Sequence, residues 1–109
     1  MAELSAWTRV CALEELPPGE FREVDADGTD VAVFNVDGEL FAIEDACTHD
    51  GARLTGGAVE GREIICPRHG ARFSLSTGDA LTPPAYEATA TFPVQVVDGI
   101  VYTRDDRWD

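Results

Sequence analysis

The chain has 109 residues, enough for one domain, and carries 21 acidic residues against eight basic ones, all arginine, for a formal net charge of −13. That balance excludes binders of nucleic acid or anionic membranes, whose partners are polyanions, and is compatible with a protein that docks on basic protein surfaces. No apolar run approaches the roughly 20 residues of a membrane-spanning helix, and the first residues lack the basic-then-apolar order of a signal peptide, so a soluble, cytoplasmic protein is expected.

Residues 7–11 read as a short first strand, and 12–16 as one helical turn stopped by Pro17-Pro18-Gly19. Residues 21–24 and 31–36 read as strands around a turn at Asp27-Gly28. Asp37-Gly38 is a strong hairpin signal, because both residues of the favoured two-residue turn need positive φ, and residues 40–43 follow as its second strand. Val31, Val33, Leu40 and Ala42 supply apolar positions at period two. After a loop at 54–57, short strands are expected at 58–59, 63–65 and 71–74, with turns at Glu60-Gly61 and Thr77-Gly78-Asp79. Residues 89–97 and 100–103 read as a last hairpin around Asp98-Gly99, followed by a polar tail. Many short strands, Asp-Gly turns and almost no helical period indicate an all-β sandwich or barrel.

Two short stretches stand apart: Cys47-Thr48-His49-Asp50-Gly51-Ala52 and Cys66-Pro67-Arg68-His69-Gly70-Ala71. Together they hold both histidines of the chain and two of its three cysteines, with sixteen residues between His49 and Cys66. Thiolate and imidazole are ligands for soft and borderline metals, and the nearby glycines and Pro67 suit tight turns. A Cys₂His₂ set admits a structural zinc site or a Rieske [2Fe–2S] centre, in which two His replace two Cys on one iron. Zinc fingers usually pair like with like, whereas here each stretch mixes one Cys with one His. That order suits a cluster whose irons each take one ligand from each stretch. Cys11 is left over and reads as a small buried hydrophobe on the first strand.

C-T-H-D-G followed by C-P-R-H-G resembles the signature of Rieske proteins, especially the soluble Rieske-type ferredoxins of bacterial ring-hydroxylating dioxygenases. The resemblance implies one [2Fe–2S] cluster held by Cys47, His49, Cys66 and His69. It also implies a single domain over 1–109: an antiparallel β-sandwich base with a small cluster-binding subdomain inserted at about 45–82. Rieske proteins of cytochrome bc complexes carry a disulfide between the two loops, at places held here by Ala52 and Arg68. They also carry a Ser and a Tyr hydroxyl that bond the cluster and its ligand sulfur, at places held here by Ala71 and Phe73. Without those donors the potential is expected toward the lower end of the Rieske range, on the order of −150 mV.

The implied function is one-electron transfer from a flavin-containing NAD(P)H reductase to a terminal oxygenase, by a small carrier expected to be a monomer. An oxygenase reading fails by counting, since a mononuclear iron site needs two further histidines, and no G-x-G-x-x-G offers a dinucleotide site. The chain is thus expected to have no catalytic site of its own. The alternatives are a Rieske-like small subunit of a nitrite reductase or other redox complex, and a zinc-stabilised module. Arg53, Arg68 and Arg72 stand in or beside the two loops, either to steer docking or offset the negative background, or simply solvated or paired with Asp50, Glu60 and Glu63. Trp7 and Trp108 read as packing residues.

Overall fold

Three Asp-Gly pairs organise the chain. In the computed structural model, Asp27, Asp37 and Asp98 all have φ 52°, and Gly28, Gly38 and Gly99 follow at 89°, 94° and 77°. Positive φ at both central residues is the two-residue hairpin turn whose twist matches that of the flanking strands. Two of these turns are held from outside as well: the Gly28 N–H donates to Asp25 Oδ1 at 2.7 Å, and the Gly38 N–H to Asn35 Oδ1 at 2.8 Å. The structure describes residues 7–46, 53–68, 70–83, 85 and 87–106.

The first two turns link β2 (Phe21–Ala26), β3 (Thr29–Val36) and β4 (Glu39–Glu44) into an antiparallel meander, and β8 (Thr91–Phe92) adds to the far side of β4. The third joins β9 (Val94–Val97) to β10 (Ile100–Thr103), and β1 (Thr8–Ala12) pairs with the other edge of β10. A third sheet, β5 (Val59–Glu60), β6 (Glu63–Ile65) and β7 (Arg72–Ser74), lies between β4 and β8 in sequence. The only helical element among the described residues is a single 3-10 turn, Leu13–Glu15. No helix among them is long and apolar enough to cross a membrane.

The central sheet is buried on both faces. On β3 the five residues from Val31 to Asn35 are all buried. Val31 and Val33, with Ala42 of β4, pack with Cys11 and Val101 of the terminal sheet. Ala32, Phe34 and Ile43 point the other way, because successive strand side chains alternate faces. They pack with Leu54, Ile64, Cys66, Ala71, Phe73, Leu75 and Ala85. The molecule is therefore layered, with the terminal sheet on one side of the central sheet and the inserted sheet on the other. Ile64, Phe73 and Leu75 are at most 1 % exposed, and burial of such side chains contributes about 1.5–3 kcal/mol each. Arg62, in the β5–β6 turn, bonds Glu39 and lies 5.9 Å from the Phe41 ring centroid, a polar tie between the same two layers at their surface.

One expected element is corrected. Residues 89–97 do not form one strand of a last hairpin: Thr91–Phe92 pairs with β4, and Val94–Val97 pairs with β10 in another sheet. Pro93 separates them. It has no N–H to continue a ladder, and its carbonyl accepts the Thr103 hydroxyl at 2.9 Å instead, so the chain changes sheets there. Cys11 is a buried free thiol in the core, as expected. Trp7 is half-buried, with the Arg104 guanidinium 5.7 Å from its ring centroid; Trp108 lies outside the described residues.

Candidate metal centre

Of the four expected ligands, Cys66 is the one among the described residues; Cys47, His49 and His69 lie outside them. Cys66 follows directly on β6 and is 1 % exposed, a free thiol against Ala71 and Phe73 in the inserted core. Its N–H donates to the Ala71 carbonyl at 2.7 Å, and its carbonyl accepts the Gly70 N–H at 2.9 Å. Gly70 has φ 74°, the left-handed conformation a tight turn requires and that glycine adopts without strain. The second ligand stretch is thus closed by its own backbone.

The neighbouring chain keeps that turn in place. The Arg72 N–H donates to Thr82 Oγ1 at 2.9 Å and the Leu81 N–H to the Arg72 carbonyl at 2.7 Å, so residues 80–82 run back along β7. On the other side, Gly57 passes so close to β6 that a Cβ there would lie 1.8 Å from the Ile65 carbonyl oxygen. The Ile65 N–H donates to the Ala58 carbonyl at 2.9 Å, continuing the contact.

The first ligand stretch is bracketed differently. Asp45, directly after β4, is buried, and its carboxylate accepts from the Leu54 and Thr55 N–H groups, the Thr55 hydroxyl and Arg53 Nη1 at 2.8–3.0 Å. Thr89, also buried, donates its hydroxyl to the Glu44 carbonyl at 3.2 Å and its N–H to the Gly78 carbonyl at 2.8 Å. It ties the end of β4 to the turn after β7. Residues 47–52 therefore lie between two anchored ends. Sequence reasoning missed Asp45, Thr89 and Gly57.

The arginines beside the site are engaged. Arg72 pairs with Glu60 at 2.9 Å and Glu63 at 3.4 Å, as pairing predicts. Arg53 pairs with Asp45 at 3.0 Å, Glu23 at 3.2 Å and Asp30 at 3.5 Å. Asp50, the third acidic residue expected to pair with these arginines, lies outside the described residues. Both guanidiniums are held above their ordinary pKa, Arg53 first by its hydrogen bond to Asp45 and Arg72 first by its hydrogen bond to Glu60. Arg68 is exposed at the second stretch.

The donor set fits an iron–sulfur cluster on two counts. Cys66 is an uncrosslinked thiol beyond a strand end, in a turn whose backbone is already satisfied. Leu54, just past the first stretch, packs in the same core cluster as Cys66, so both stretches are anchored on one body. A small, nearly all-β chain with a buried free thiol at the end of an inserted strand points to the iron–sulfur carriers rather than to the zinc fingers. Residues 6–93 match the family described as Rieske [2Fe-2S] domain.

The relatives agree. The chain is 41 % identical over 90 residues to the ferredoxin component of a naphthalene 1,2-dioxygenase system from Pseudomonas aeruginosa, covering 83 % of this chain and 86 % of that one. It is 45 % identical over 94 residues to the 3-phenylpropionate/cinnamic acid dioxygenase ferredoxin subunit of Photorhabdus laumondii, covering 85 % and 89 %. It superimposes with a TM-score of 0.86 and 37 % identity on a chain of a solved complex of reduced oxygenase and oxidized ferredoxin in carbazole 1,9a-dioxygenase, covering 91 % and 93 %. The chain belongs to the Rieske [2Fe–2S] family and carries one cluster of that type.

Proposed function

We propose that this protein is a one-electron carrier that takes an electron from a flavin-containing NAD(P)H reductase and delivers it to a terminal non-haem iron oxygenase. The observation that carries the reading is the Cys66 turn, a buried free thiol held by backbone bonds at the end of a strand in a chain of Rieske type. Cys47, His49, Cys66 and His69 are the ligands in this reading. Residues 1–109 are one domain, and about 45–82 form its cluster-binding subdomain. When bound, the cluster supplies a one-electron couple whose potential is raised by neutral imidazoles in place of two thiolates. The protein's own part is to hold the donors, exclude water from the Cys66 side and offer a docking face. No catalytic site is needed.

The relatives named above are ferredoxin components and subunits of dioxygenase systems, and one structure pairs such a ferredoxin with its oxygenase. By that analogy this chain docks through the tips that carry Asp50, Gly51, Arg68, Gly70 and Pro84, as a monomer in the cytoplasm. Neither nucleic acid nor membrane is a partner.

The test is direct. Purified protein should be red-brown, with about two irons and two acid-labile sulfides per chain, and Cys66→Ser should abolish most of that colour. A reductase of the flavin type should reduce it, and Arg68→Glu should slow that step and alter its salt dependence. A colourless protein with one zinc would refute the reading.

A further inference from the structure

We propose that Asp45 is a positioning residue for the cluster, its carboxylate clamping the exit of segment 47–52 onto the end of β4 and so fixing where Cys47 and His49 are presented. This rests on the reading that these two residues are ligands. The carboxylate is completely buried. Its Oδ1 accepts the N–H of Leu54 at 2.8 Å and of Thr55 at 2.9 Å. Its Oδ2 accepts the Thr55 hydroxyl at 2.9 Å and Arg53 Nη1 at 3.0 Å. An ionised carboxylate has about four acceptor sites and no donor, so every site is used, and by three consecutive residues. The Asp45 N–H in turn donates to the Asp30 carbonyl at 2.9 Å, which makes the base of the clamp part of the central sheet.

Burying a carboxylate is costly unless it is fully hydrogen-bonded, and closing an eight-residue connection does not by itself need a charge. The Cys66 stretch does without one, using the Cys66–Ala71 and Gly70–Cys66 backbone bonds. The two stretches thus differ in a testable way. The Cys66 turn is closed by the main chain, whereas residues 53–55, just past the first stretch, are held by the one side chain of Asp45. Arg53 extends the clamp toward Glu23 and Asp30, but its side chain is 55 % exposed, and exposed pairs of this kind contribute little. Asp45 and Thr55 therefore carry the effect.

The experiment uses the holoprotein with Thr55→Val, Asp45→Asn and Asp45→Ala, and Val33→Ala in the terminal-sheet core as a control for stability alone. Thr55→Val removes one bond of the four and leaves the charge. Asp45→Asn keeps an acceptor for the two backbone groups but turns an amide donor toward Arg53. Four quantities are read: iron and sulfide content, cluster lifetime in chelator, the EPR spectrum of the reduced form, and the midpoint potential.

Thr55→Val and Asp45→Asn should load iron yet show altered g values, a shifted potential and release of the cluster about tenfold faster, in line with loss of one hydrogen bond to a charged group. Asp45→Ala should load little. Val33→Ala should lower the urea midpoint and leave g values and potential as in wild type. Thr55→Val and Asp45→Asn proteins with unchanged g values, potential and cluster lifetime would overturn the proposal while leaving the carrier reading intact. A wild-type protein without iron would overturn both.

Discussion

Gly57→Ala should disable the site without touching a ligand. Gly57 has room for a hydrogen and nothing larger: a Cβ would sit 1.8 Å from the Ile65 carbonyl oxygen, 3.0 Å from its carbon and 3.1 Å from the Leu54 carbonyl oxygen. Ordinary contact begins near 3.4 Å, so β6 must give way by more than an ångström at the residue before Cys66. The listening partners are backbone atoms, which cannot rotate aside as a side-chain tip would. Overpacking of this kind costs about 1–3 kcal/mol, and the displacement is passed directly to Cys66 and to the Ile65–Arg72 pairing. Gly56→Ala is the matched control. Its φ is 92° with open space around it, so the change costs about 1–2 kcal/mol of backbone strain and pushes on nothing. Urea unfolding should therefore rank the two variants close together, while iron per chain and visible absorbance should fall steeply in Gly57→Ala alone. A Gly57→Ala protein that loads its cluster like Gly56→Ala would refute the argument that this approach positions Cys66.

Phe73 and Ala71 are fully buried beside Cys66, so a hydroxyl in Phe73→Tyr or Ala71→Ser must find an acceptor or cost about 1–3 kcal/mol unpaired. If it finds a cluster or ligand sulfur, it favours the reduced form. At about 60 mV per 1.4 kcal/mol, redox titration should then read a rise of several tens of millivolts, and a zero or negative shift in both variants with the cluster intact would place these residues away from it. Cys11 is pushed above the ordinary thiol pKa, first by burial. The unfolded chain therefore loses that proton before the folded one does. Stability from this group is complete below the unfolded-state value and falls as pH rises through the folded-state value. Cys11→Ala should be less stable at neutral pH, because it leaves a small cavity, but its urea midpoint should fall less steeply with alkaline pH, and equal slopes would contradict the assignment.

What could be read from the chain depended on how local its cause was. The Asp-Gly hairpins were legible because turn chemistry acts over two residues. The Cys and His stretches stood out, and with them the family, because those residue types are rare in this chain and fall close together. Period two revealed Val31, Val33 and Ala42, but not that Ala32, Phe34 and Ile43 are buried on the opposite face, because a strand covered on both sides has no polar face to mark it. The sheet change at Pro93 was present in the sequence as a residue that cannot donate, and a run of β-formers on either side concealed it. Asp45, Thr89 and Gly57 were illegible for one reason. Each acts through a partner eight to 45 residues away, and the identity of the residue alone does not say where the chain returns.

The layering also sets an order of events during folding. Every fully buried described residue of the core beneath the inserted sheet lies between Ala32 and Ala85, while the opposite core needs Phe92 and Val101. The β5–β6–β7 ladder pairs residues at most eleven apart, as in Glu63 with Ser74, whereas the terminal sheet must bring Thr8 to Thr103. Short closures are entropically cheaper and faster than long ones. The core beneath the inserted sheet can therefore close without the long pairing that the terminal sheet needs. The half of the molecule that holds Cys66 can therefore be shaped first, and pulse-labelled amide exchange should find Glu63–Ile65 protected before Thr8–Ala12. The strand Thr8–Ala12, whose partner lies about 90 residues away, is among the last to find its place.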